Sequence, residues 1–146
     1  MENTNANPTL VAKVEGFKIK ARESLRMELI SARLSRIGEI EGSIKHITAD
    51  IDAVLHTIKV ENYEISKLDT EHPNFEKTKK TRTEKVEELN KFKETLDKEV
   101  EDLNTKIAEQ KEGIAKIESG ETKVSLDALN TLVEKMIKQD ALNSVK

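Results

Sequence analysis

Isoleucine recurs every seventh residue from position 30 to position 65, at Ile30, Ile37, Ile44, Ile51, Ile58 and Ile65. Three residues after these positions stand Ile40, Ile47, Val54 and Leu68, with Arg33 and Glu61 interrupting the apolar series. Apolar residues at alternating spacings of three and four place a narrow stripe on one side of a helix, and a stripe repeating every seven residues needs another helix against it. This is the strongest constraint on the fold. Composition agrees with it. Hydrophobic residues are 36% of the 146 and charged residues another 36%. That is too little apolar material for a thick core but enough for a seam using two positions in seven.

A second heptad series follows. Val86, Lys93, Val100, Ile107 and Ile114 take one seam position; Phe75, Arg82, Leu89, Leu96, Leu103, Gln110 and Ile117 take the other. Between the two series lies Asp69-Thr70-Glu71-His72-Pro73-Asn74. Proline disfavours helical backbone at the residue before it, and Asn supplies turn chemistry. The expected architecture is all-α: a long antiparallel coiled-coil hairpin with a short third C-terminal helix packed at its base. Its parts are a flexible N-terminus over 1–8, a helix over 9–70, a loop at 71–74, a helix over 75–119, and a linker and short helix over 120–146. Folding at the Pro73 turn sets a register in which Ile58 faces Leu89, Ile51 faces Leu96, Ile47 faces Val100 and Ile40 faces Ile107. In the same register Arg33 faces Ile114, and Glu61 shares a flank with Arg82. A hydrogen-bonded pair there selects one register at some cost in stability.

The first helix outruns the second, so residues 9–28 overhang. Leu10, Val14, Phe17, Ala21 and Leu25 form a stripe of helical period there. The third helix begins after Ser125, a good N-cap, and offers Leu126, Leu129, Val133 and Met136, broadened by Leu132 and Ile137. It is expected to bury the overhang against Leu126, Leu129, Val133 and Met136, with residues 140–146 fraying. Apolar surface remains in excess. Leu10, Val14, Phe17, Leu25, Leu129, Leu132, Val133 and Ile137 therefore form the candidate partner-binding surface, and self-association as a dimer or trimer is expected. Leu34, Leu55 and Phe92 flank the seam as further apolar surface.

No chemistry emerges from the motifs. His46, His56 and His72 lack the spacing that puts metal ligands on one helix face. Carboxylates are plentiful, but a two-helix arm has no cleft to shift their pKa values. Phosphate loops, dinucleotide fingerprints and nucleophile elbows are absent from the sequence. No enzyme activity, cofactor or metal is expected. The chain has no cysteine and no apolar run long enough to span a bilayer, and it opens on MENTNANPTL without signal-peptide character. A cytoplasmic protein, or part of a particle assembled there, is the expectation.

A net charge of −3 gives no general pull toward nucleic acid. One local feature differs: Lys77, Lys79, Lys80, Arg82 and Lys85 crowd the start of the second helix, where cations oppose the helix dipole. A basic hairpin tip suits phosphate, acidic lipid or an acidic partner. Three readings follow: a structural or adaptor protein presenting a rigid hairpin within a larger assembly, a nucleic-acid-binding module using the tip, or a holding chaperone for an assembly client. Hairpins of this kind serve in phage and virion components among other complexes, an analogy of architecture only.

Overall fold

The computed structural model describes residues 8–145; the expected flexible N-terminus falls almost wholly outside them. Among the described residues there are three helices and no strand: α1 (Pro8–Ser66), α2 (Phe75–Ser119) and α3 (Leu126–Val145). The chain divides into two units, one of residues 37–109 and one combining residues 1–36 with 110–146. α1 and α2 run through both.

The unit of residues 37–109 is the hairpin. Every seam position assigned by the heptads within it is buried or half-buried, and nearly every position between is exposed. Ile37, Ile40, Val54 and Leu96 are its buried apolar residues, Ile40 the deepest at 2% exposure. Lys93, the one lysine in the seam, turns its ammonium out to Asp97 Oδ2 at 2.8 Å one turn along, so its aliphatic stem lies in the seam and its charge in water.

α1 ends at Ser66, four residues earlier than the heptads suggest. The Ser66 hydroxyl donates to the carbonyl oxygen of Tyr63 at 2.6 Å, and the N–H groups of Lys67 and Leu68 bond three residues back to Glu64 and Ile65. These tightened bonds close the helix. Asp69 Oδ1 then accepts the Glu71 N–H at 3.0 Å, and His72 Nδ1 accepts the Asn74 N–H at 3.0 Å. The Asp69 carboxylate thus captures the backbone at Glu71 before Pro73 is reached. Phe75 opens α2, as expected, with the Thr78 N–H bonded to the Asn74 carbonyl at 2.9 Å.

In the other unit, α3 lies on the first part of α1. Ala21, fully buried, meets Leu129 and Val133, and Phe17, Leu25, Val124, Leu132 and Met136 pack around them. A small residue at the centre lets the two helix backbones approach. Leu10 and Leu126, expected in this contact, are 56% and 68% exposed. Leu126 opens the first turn of α3, ahead of the part that lies on α1, and Leu132 takes a place in the cluster instead. α3 stays helical to Val145 where fraying was expected, and Lys13 Nζ holds Asp140 Oδ2 at 3.2 Å near that end.

Gly120 ends α2 with φ +85°, the left-handed conformation glycine adopts without cost. Ser125 caps α3, its hydroxyl accepting the Ala128 N–H at 3.3 Å. Arg33 bonds Gln110 Oε1 at 3.1 Å, and its guanidinium lies across Gly113, where a Cβ would collide with it. The polar Arg33 in the seam is therefore matched by a polar residue and by room made at a glycine.

Gly16, Gly38 and Gly42 have open space where a Cβ would stand. Alanine at all three raises stability by about 2 kcal/mol in sum, since each helical Gly costs up to roughly 1 kcal/mol. Chemical denaturation followed by circular dichroism measures the gain; Gly113→Ala is expected to fall short of the average gain per site because Arg33 must move.

Candidate functional site

The hairpin tip has one buried charged residue, Glu61, at 8% exposure. Arg82 Nη1 donates to Glu61 Oε2 at 3.0 Å, and Lys85 Nζ donates to Oε1 at 3.1 Å. The pairing of Glu61 with Arg82 follows from the register, and Lys85 completes it from one turn further on. Two charge-assisted bonds satisfy a carboxylate that the seam would otherwise strand. The hydrogen bond from Lys85, seconded by that from Arg82, holds the Glu61 carboxyl below its ordinary pKa against the opposing effect of burial.

That geometry changes the basic tip. Of its five cations, Arg82 and Lys85 are committed to Glu61, and Lys79 lies 5.7 Å from the centre of the Phe75 ring. Lys77 and Lys80 are exposed. A cavity of about 590 Å³ lies here, bordered by Asn74, Lys77, Thr78 and Thr81 with the Glu61 ion pairs. It offers an anion few uncommitted charges.

Because the folded-state pKa of Glu61 is depressed, its ion pairs stabilise the fold above the unfolded-state value and lose that contribution as pH falls through the folded-state value. Wild type is thus expected to be more stable than Glu61→Gln near neutrality, with the gap shrinking below about pH 4.3, the ordinary glutamate pKa. Paired melts across pH 3 to 7 measure it; a gap independent of pH contradicts the assignment.

Apolar surface is the other candidate, and it divides. Leu129 and Val133 are interior, while Val14, Phe17, Leu25 and Leu132 are half-buried. Leu10 and Ile137 remain open to a partner at 56% and 38% exposure. In the same unit Val11, Ile19, Met27, Leu126 and Leu142 are each more than half exposed. The apolar stripe of α1 did not single out Val11, Ile19 or Met27, which lie outside its helical period, whereas Leu126 was expected in the contact with α1 and is exposed instead.

The same unit holds a pocket of about 610 Å³ where α2 ends and α3 begins. Ile117, Val124, Leu126 and Leu129 give it an apolar lining. Arg22, Arg26 and Lys123 line it as well, together with Glu118. Arg26 is held in place, bonding the Glu118 carbonyl oxygen and the Glu23 carboxylate, each at 3.3 Å.

His46, His56 and His72 are exposed, and among the described residues no group of three His, Asp or Glu side chains is placed to hold a metal ion. No helix among them is long and apolar enough to cross a membrane. Compared with known proteins, the chain matches no family model, no curated protein and no solved structure.

Proposed function

We propose that the chain is a non-enzymatic structural or adaptor protein that presents its helical hairpin within a larger assembly and binds protein through the surface of its three-helix unit. The observation that carries this reading is the balance of apolar side chains. Eight hydrophobic residues are buried, whereas thirteen large ones are exposed among the described residues. Nine of the thirteen lie in the unit formed by residues 1–36 and 110–146. Scattered apolar residues are ordinary on a surface, but nine on one unit against four on the other support a protein interface on the first.

The nucleic-acid reading draws less support, because Glu61 holds Arg82 and Lys85 of the basic tip, although one aromatic there, Tyr63, is exposed. Sedimentation equilibrium of the full chain at tens of micromolar tests the proposal. A dimer or trimer is the expected result. A monomer that instead binds duplex or single-stranded nucleic acid with steep salt dependence favours the alternative. A monomer that suppresses aggregation of an unfolded client favours the holding-chaperone reading.

A further inference from the structure

Charge is distributed unequally between the two units. Residues 1–36 with 110–146 carry 13 Lys and Arg against 10 Asp and Glu; residues 37–109 carry 12 against 18. The positive unit contains the apolar pocket lined by Arg22, Arg26 and Lys123. On the negative unit stands an exposed aromatic side chain outside the seam, Phe92, at 52% exposure. On the α2 surface Glu88 precedes it by four residues and Glu99 follows by seven, so all three share a face. Residues 87–102 hold seven carboxylates against three lysines, one of which, Lys93, is tied to Asp97.

We infer that the occupant of the pocket is a second copy of this chain, which inserts Phe92 between the pocket's cations and sets Glu88 and Glu99 against Arg22 and Lys123. This deepens the proposed function by naming the partner and the contact. An aromatic anchor entering an apolar pocket with a charged rim is the usual form of an interface hot spot. The pocket is ample for one phenyl group and its neighbours. Opposite net charge brings the negative hairpin of one copy to the positive unit of another and keeps like units apart. Anchor and pocket are different patches of one chain, so two copies either exchange Phe92 reciprocally across a two-fold axis or associate head to tail until a ring closes.

Sedimentation of the full chain at tens of micromolar, with two variants, tests this. Phe92→Asp removes the anchor and keeps the pocket. The double variant Arg22→Glu with Lys123→Glu spoils the pocket and keeps the anchor. All three residues are exposed, so melting temperatures close to wild type serve as the folding control. Each variant alone is expected to associate at least about tenfold more weakly than wild type, the scale of a single hot spot. Mixed in equal amounts they form a one-to-one pair that grows no further, since only one intact anchor and one intact pocket remain. Phe92→Trp keeps the association. If wild type associates and both variants associate equally well, the Phe92 contact is wrong while the interaction reading stands. A wild-type chain that stays monomeric overturns the contact. A mixture that remains monomeric overturns the anchor-and-pocket contact.

Discussion

Ile40→Asp collapses the hairpin, lowering stability by about 4 kcal/mol, whereas Glu87→Lys changes it by no more than about 0.5 kcal/mol. Ile40 is 2% exposed in the seam between α1 and α2, and every charged side chain in that seam has a visible solution: Lys93 reaches Asp97, and Glu61 has both Arg82 and Lys85. An aspartate at 40 enters the apolar part of the seam with no cation opposite. It must be buried unpaired, be protonated, or push the helices apart. The loss is a large part of the stability of a domain this size, roughly 5–15 kcal/mol. Glu87 occupies an exposed position, where a charge reversal perturbs little. Thermal melts of both variants by circular dichroism measure the contrast, and equal melting temperatures contradict the seam assignment.

Ala21→Leu loosens the other unit by about 1–3 kcal/mol, the usual cost of overpacking a filled contact. Ala21 is completely buried against Leu129 and Val133, so three added carbons have nowhere to go and α3 must lift. The effect is local. Amide hydrogen exchange is expected to rise across residues 124–145, while the amides of residues 37–60 and 90–109 keep their protection. Uniform acceleration across both groups, or none in α3, contradicts the packing of α3 on α1.

How much of this was legible in the sequence follows from which interactions are periodic. The seam was readable because Ile37, Ile40, Val54 and Leu96 sit where two matched heptad series place them, and their burial depends on little else. The start of α2 was readable from Pro73 and Asn74. The end of α1 was not: Leu68 continues the heptad pattern, but the Ser66 hydroxyl and the Asp69 carboxylate compete locally for backbone groups that the helix would otherwise use. The tip shows a different limit. Sequence periodicity paired Glu61 with Arg82, yet a tally of nearby cations still included Arg82 and Lys85 in a basic patch. Only the geometry shows that one carboxylate occupies both.

The three-helix unit was legible in outline alone. Apolar period identified the faces of α1 and α3, but not which ends of those faces overlap, so Leu10 and Leu126 were placed inside and are outside. The pocket beside Gly120 has no periodic signature at all. It arises from where α2 stops, where α3 begins and which way Arg22 and Arg26 project. Phe92 was visible as a flanking aromatic, but its meaning depends on a surface elsewhere on the molecule.

The seam, the Glu61 ion pairs and the acidic face around Phe92 all depend on α1 and α2 folding back on each other. The most direct measurement is the distance between spin labels at the exposed positions of Gly42 and Asp102, taken by pulsed electron spin resonance on labelled chain diluted in unlabelled chain. The antiparallel hairpin predicts a separation of about 25 Å, a rough allowance for two helix diameters. A single continuous helix through the turn would place the labels about 90 Å apart at 1.5 Å per residue. A distance distribution centred near that longer value would contradict the fold and everything built on it.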